Sequence, residues 1–241
     1  MSRRHTGHRK RLAASNRIVI LKKESKYLLK TGPGPHADKN SLPLLIVLRD
    51  VLGFATNARE AKQIVNSNKV QIDGKFRKDL SFPIGIMDVI HFPTINKSYR
   101  ATVGKNGKMR LFEIKETESK LKLCKVLDKT ILGGGKIQLN LHDGRNMIVH
   151  DKHYKTGDSI LLKVPEQKVE KHIAREKGTH VFILEGTHIG ETATLNEFKP
   201  QPGSKANRVN LTNEAGETFE TLEKYIFVTG KEKPEIDIGE K

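Results

Sequence analysis

The chain has 241 residues, 36% hydrophobic and 30% charged, a balance that points to several small modules with thin cores rather than one deep globule. Its 44 Lys/Arg against 28 Asp/Glu leave a net charge of +16, which repels itself in a compact chain and implies a polyanionic partner. The single cysteine, Cys124, excludes an intrachain disulfide and a cysteine metal cluster and suits a reducing cytosol. No apolar run approaches the about 18 residues of a membrane span, and Ile18-Val19-Ile20-Leu21 is too short for a secretory signal.

The charge is placed at one end. Residues 1–49 hold twelve Lys/Arg and two acids, Glu24 and Asp38, a net +10. Arg3, Arg4, Arg9, Lys10, Arg11 and Arg17 lie in a segment with little apolar material, so residues 1–30 are expected to stay flexible until they meet phosphates. Gly32-Pro33-Gly34-Pro35 forms a stiff turn after this arm.

A helix pair and a hairpin follow. Pro43 suits a first helical position, and Leu44, Val47, Leu48, Val51 and Leu52 recur at helical spacing up to Gly53. Asn57 and Glu60 make a capping-box pattern for a second helix. In that helix Ala61, Ile64 and Val65 point inward, and Arg59, Lys62 and Gln63 share the opposite face. Val70-Gln71-Ile72, Asp73-Gly74 and Lys75-Phe76 read as a tight hairpin, and residues 87–92 as a further strand.

From about residue 93 the pattern is β. Tyr99, Ala101 and Val103 alternate into a turn at Asn106-Gly107, with Met109 and Leu111 beyond it. Ile137, Leu139 and Leu141 run into Asp143-Gly144, with Met147-Ile148-Val149 returning, and Gly157-Asp158 precedes Ile160-Leu161-Leu162. A third β unit spans roughly 178–228. Residues 230–241 read as a frayed tail.

Three groups of residues carry a resemblance. Leu48–Ala55, Arg59–Val65 and Val70–Gly74 resemble the αL RNA-binding module, also found in pseudouridine synthases, a tyrosyl-tRNA synthetase and heat-shock RNA-binding proteins. Lys177–Gly190 resembles the KOW strand–loop–strand motif of ribosomal proteins and elongation factors. Pro33–His36, Leu42–Leu45, Phe82–Ile90 and Gln138–Asn146, in this order, resemble the archaeal and eukaryotic S-four-e family of ribosomal proteins over nearly the whole chain. Residues 13–20 depart from the family, whose proline and tryptophan are replaced by Ser15-Asn16-Arg17.

The resemblance implies an α+β, mostly β protein divided as a basic extension (1–42), an αL module (43–92), a central β domain (93–171), an SH3-like β-barrel with the KOW motif (172–228) and a tail (229–241). It implies a structural, non-enzymatic constituent of the small ribosomal subunit in the cytoplasm. Its partners would be rRNA and neighbouring small-subunit proteins, with no cofactor, metal, membrane or small-molecule substrate. The arm would supply phosphate contacts. Arg59, Lys62 and Gln63 would present donors from one helix face, with Arg49, Lys69, Lys75 and Arg77 on the rim and Lys177 and His188 in the KOW segment. Aromatic content of 5% without tryptophan supplies base stacking poorly, so folded rRNA is expected to be read through its backbone.

Enzymatic signals are weak. Gly133-Gly134-Gly135-Lys136 lacks the spacing of a phosphate loop. His142-Asp143 sits at a turn, with no nucleophile pattern in His150 or His153. His5 and His8 lack further metal ligands. Two other classes stay open on the sequence: a KOW-bearing transcription or antitermination factor, and an RNA-modifying enzyme lacking its catalytic motif.

Overall fold

Residues 7–150 and 153–239 are described in the structure, a computed structural model. Two compact units divide the chain: one of residues up to 102 with 108–120, the other of 103–107 with residues from 121 onward.

The first unit begins with an antiparallel hairpin, β1 (His8–Lys10) on β2 (Tyr27–Leu29). Ala14, Ile18 and Leu28 are buried in the same apolar cluster as the helices that follow. The arm is therefore folded from His8 onward rather than awaiting phosphates. The reason is apolar burial at these three positions together with Arg11, which is 2% exposed and donates to the Leu21 carbonyl at 2.8 Å and Glu24 at 3.0 Å. Arg3 and Arg4 lie outside the described residues.

β3 (Leu42–Pro43) leads into α1 (Leu44–Ile46), with Pro43 at the N-cap rather than inside the first turn. The helix continues through Val47–Val51 in a wider π-helical turn, in which the Leu52 amide reaches the Val47 carbonyl at 2.9 Å. Leu44 through Leu48 are all buried, so this helix is enclosed where a one-sided face was expected. It ends at Gly53, φ +68°, the left-handed geometry that glycine supplies at a helix end. α2 (Ala58–Asn66) follows.

β4 (Gln71–Ile72) and β5 (Lys75–Phe76) form the expected hairpin, with Asp73 and Gly74 at φ +49° and +72°, as a type I′ turn requires. Next come β6 (Pro83–Ile84), paired with β3, then β7 (Val89–Phe92), β8 (Lys97–Val103) and β9 (Met109–Ile114). The sheet order is β5-β4-β7-β8-β9. Strand pairing crosses the division expected between residues 92 and 93. β7 bonds β8 from Val89↔Arg100 to Phe92↔Lys97, and Asn96, φ +50°, closes a tight turn between them. Ser98, Arg100 and Thr102 are buried beside Ala101 and Val103, so β8 is covered on both faces. The Arg100 guanidinium meets Glu118 at 3.1 Å and its carbonyl at 3.2 Å.

Two segments of the family pattern close on each other here. The Gly32 amide donates to the Ser81 carbonyl at 2.8 Å. His36 Nε2 lies 3.0 Å from Asp88 Oδ1, and the Gly85 amide donates to Asp88 Oδ2 at 2.9 Å. Gly85 is required by close approach, since a Cβ there would stand 2.2 Å from His36 Cγ. Pro33–His36 and Phe82–Asp88 thus hold the fold together rather than facing a ligand.

The second unit opens with β10 (Leu121–Ile131), β11 (Ile137–Leu141), β12 (Asn146–Val149), β13 (Ser159–Lys163) and β14 (Lys168–Ile173). Their order is β12-β11-β10-β13-β14. The long β10 serves two neighbours. Leu121–Lys125 pair with β13, and beyond an irregularity at Val126 and Asp128 the strand pairs with β11. The Gly133–Gly135 segment closes that second hairpin. β15 (His180–Ile183), β16 (Thr192–Lys199), β17 (Arg208–Asn213), β18 (Thr218–Leu222) and β19 (Ile226–Gly230) form another antiparallel sheet, ordered β18-β17-β16-β15-β19. The tail is ordered to Gly239 among the described residues. Ile236 and Ile238 are buried, and the Glu235 amide donates to the Thr229 carbonyl at 3.0 Å. Two isoleucines spaced to the same side outweigh the polar composition that suggests fraying.

Lys125 joins the two sheets of this unit. Its Nζ donates to the carbonyls of Ile226 at 2.7 Å and Lys224 at 3.1 Å. Burial, with Arg175 nearby and Glu223 partly offsetting it, pushes the ammonium down to about 8.

Two predictions arise from this packing. Replacing Asp88 by Ala strands a buried amide and a buried imidazole, and is expected to cost about 3 kcal/mol in urea denaturation; an unchanged midpoint would remove Asp88 from the fold's main supports. For Lys125, the unfolded chain binds its proton up to about pH 10.5, whereas the folded chain releases it near 8. Below both values the buried charge is a cost, and it is relieved as pH rises between them. Stability is expected to rise with pH in that window by up to roughly 3 kcal/mol relative to Lys125→Met; parallel curves for the two proteins would refute the shift.

Candidate nucleic-acid interface

The exposed basic face of the first unit is organised by α2. Asn57 caps the helix by accepting from the Glu60 amide at 2.9 Å. The Glu60 carboxylate reaches one residue further back than the expected box, accepting from the Thr56 amide and hydroxyl at 2.8 Å each. These bonds from Thr56, then from Asn57, hold the Glu60 carboxyl below its usual range. Glu60 is the only acid in α2, and it is turned toward the helix start. Ala61 and Val65 are buried and Ile64 half-buried, which leaves Arg59, Lys62 and Gln63 exposed as the spacing predicts.

The ends of this segment add to that face. Lys69 follows the helix and Lys75 follows the Asp73-Gly74 turn, and both are exposed. The turn offers no competing acid, because Asp73 is buried and accepts from the Val89 amide at 3.1 Å.

Other residues expected at the RNA surface have internal partners. Arg49 is half-buried and forks onto Asp50, with contacts of 2.8 and 3.3 Å. Arg11 also reaches Asp50, at 3.6 Å. Arg11 is therefore a structural cation rather than a phosphate ligand, since a guanidinium removed from water needs anionic and carbonyl partners. Arg9 pairs with Asp38, whose carboxyl is raised by burial but lowered further by Thr31 and Arg9. Arg77 packs over the Phe82 ring at 4.5 Å. Arg17 is half-buried, while Lys10 is exposed.

In the second unit Lys177 is exposed, but His188 stacks on Phe219 at 3.9 Å and meets Glu191 at 3.1 Å. The KOW-like segment has glycines in the left-handed region at both ends, Gly178 at φ +81° and Gly190 at φ +79°. A Cβ on Gly190 would stand 2.5 Å from the carbonyl carbon of Gly104, which belongs to the same unit.

Among the described residues one cluster has metal-ligand chemistry: the donor atoms of Cys124, His142 and Asp143 lie within 4.8 Å of one another. Asp143 is already met by Lys122 at 3.0 Å and Arg145 at 3.1 Å. Burial raises its carboxyl, but Lys122, His142 and Arg145 outweigh that and hold it below its usual range. Two cations on one carboxylate repel a third, so the cluster is a buried ion-pair network. Neither the Lys122–Asp143 pair nor Arg100–Glu118 was legible in the sequence, where cation and acid stand about twenty residues apart.

Comparison with known proteins agrees with the fold. Residues 42–90 match the S4 domain, and residues 95–169 match ribosomal family S4e. The small ribosomal subunit protein eS4 of Methanosphaera stadtmanae is 47% identical over 231 residues, covering 96% of this chain and 95% of that protein. Its counterpart from Methanocella arvoryzae is 44% identical over 229 residues, covering 95% and 96%. The crystal structure of the 30S ribosomal protein S4e from Thermoplasma acidophilum superposes with a TM-score of 0.69 at 32% identity, covering 80% of this chain and 96% of that one.

The cap is testable by itself. Asn57→Ala removes the acceptor for the Glu60 amide and is expected to cost about 1 kcal/mol in thermal or urea unfolding. No loss would mean that water replaces the cap.

Proposed function

The chain belongs to ribosomal family S4e and is a structural constituent of the small ribosomal subunit; from that premise we propose how its surface meets RNA. Residues 43–92 act as an αL module that docks folded rRNA by shape and phosphate charge. Arg59, Lys62 and Gln63 lie at the centre, with Lys69 and Lys75 at the rim, and the exposed Lys10 of the same unit adds a further cation. The observation that carries this reading is the disposition of α2: its outward side is cationic, and its one acid is drawn back onto the cap. Rigid cations fixed on a packed helix favour phosphates at defined spacing.

The β15–β19 sheet is read as an SH3-like barrel whose KOW segment, Lys177–Gly190, offers Lys177 to RNA. Its glycine-bounded loop supports that reading, while the stacked and paired His188 fits a structural post. Arg3 and Arg4 extend the phosphate contacts, and neighbouring small-subunit proteins complete the setting in the cytoplasmic ribosome. The role is positioning rather than catalysis. The buried acids that attract attention, Asp88 and Asp143, are held by internal cations or amides.

The test is filter binding of the full chain to a small-subunit rRNA transcript across a salt series. Arg59→Glu with Lys62→Glu is expected to weaken binding at least tenfold and to reduce the salt slope by about 2, one for each lost phosphate contact. Circular dichroism should be unchanged, because both side chains are exposed. Wild-type affinity in the double variant would remove α2 from the interface.

A further inference from the structure

The β1–β2 hairpin carries an aromatic side chain that the core does not use. Tyr27 is 50% exposed and stands outside the apolar cluster that takes in its neighbour Leu28. Its cross-strand partner is Lys10, and strand alternation puts His8 on the same side of the ribbon. The His8 ring meets the Tyr27 ring edge-on, 4.8 Å between centroids, and the Lys26 ammonium lies 5.4 Å over the ring. Lys10, Lys23 and Lys26 are all exposed. The two acids of this end of the chain are engaged elsewhere, Glu24 with Arg11 and Asp38 with Arg9.

A tyrosine on a strand surface needs no special explanation alone. Here the ring is flanked by the solvent-facing Lys10 and Lys26, and the acids of this end among the described residues are paired with Arg9 and Arg11. That is the combination by which proteins hold unpaired nucleotides: a flat apolar ring under the base and ammonium groups at the phosphates on either side. The hairpin ladder also fixes the ring before any ligand arrives, which limits the entropy lost on stacking.

We propose that Tyr27 is a base-stacking residue: an unpaired rRNA nucleobase lies on its ring, with Lys10 and Lys26 at the flanking phosphates. The inference rests on the rRNA-binding reading and amends one expectation from composition, that this chain lacks the means to stack on bases. Scarcity of aromatics does not prevent a single one, placed among cations, from acting this way.

The experiment uses the full chain and a small-subunit rRNA transcript containing 5-iodouridine, irradiated and mapped by peptide mass spectrometry, with affinities measured in parallel. An adduct on Tyr27 is expected. Tyr27→Leu should weaken binding about tenfold with an unchanged salt slope, and Tyr27→Phe should bind as the wild type does. Lys10→Ala with Lys26→Ala should instead lower the salt slope. Wild-type affinity in Tyr27→Leu overturns stacking, and so does a Tyr27→Phe loss equal to that of Leu, which would assign the effect to the hydroxyl. Failure of the wild-type chain to bind the transcript overturns both this inference and the RNA reading beneath it.

Discussion

The carboxylate of Asp88 is withdrawn from water, with one oxygen on the His36 ring and the other on the Gly85 amide, and much of the first unit is arranged around that pairing. A carboxyl group in such a place is tolerated only when its polar atoms are met. Meeting them fixes the Gly32–His36 turn against residues 81–88. The turn is in turn continuous with the N-terminal hairpin, and residues 81–88 run into β7 at the centre of the sheet. The absence of a side chain at Gly85 is what lets the imidazole close in. A pair of short motifs some fifty residues apart is thereby held together.

The same logic governs charge throughout. Acids are scarce, and many of those described have internal duties. Asp38 and Asp50 meet arginines, Asp73 secures a strand amide, Glu118 neutralises a fully buried arginine, and Glu60 closes a helix start. In the second unit Asp158 accepts from the Arg175 and Lys155 amides and faces His172. These anions are thus drawn inward or onto the backbone, while most lysines, Lys122 and Lys125 excepted, remain at the surface. The positive surface field is partly a by-product of how the acids are used in folding, and it steers the protein toward a polyanion.

Much of this was legible in the sequence wherever a signal is local. The Asn57 cap, the Asp73-Gly74 turn, the outward trio of α2 and the β hairpins after residue 97 follow from spacing and turn chemistry confined to a few residues. What escaped reading depends on distant partners. Arg11 resembles any other arginine of a basic arm until Glu24 and Asp50 stand beside it. Arg100 and Lys122 sit in strands whose alternation suggests solvent on one side, and only burial opposite Glu118 and Asp143 shows otherwise. Ile236 and Ile238 were masked by the lysines, glutamates and proline around them. Charge composition indicates the partner well, but it does not say which cations are free to meet it.

The hairpin at the start of the chain has a consequence for the assembled particle. Basic extensions of RNA-binding proteins commonly acquire their shape from the nucleic acid, and the lost chain entropy then weakens association. Here residues 8–29 take their shape from Leu28, Ile18 and the Arg11 contacts, so that entropy is lost when the protein folds and not when it docks. An RNA docking on this hairpin would meet a finished surface, and a segment of RNA that is itself unsettled would be templated by it, with the protein acting as the mould.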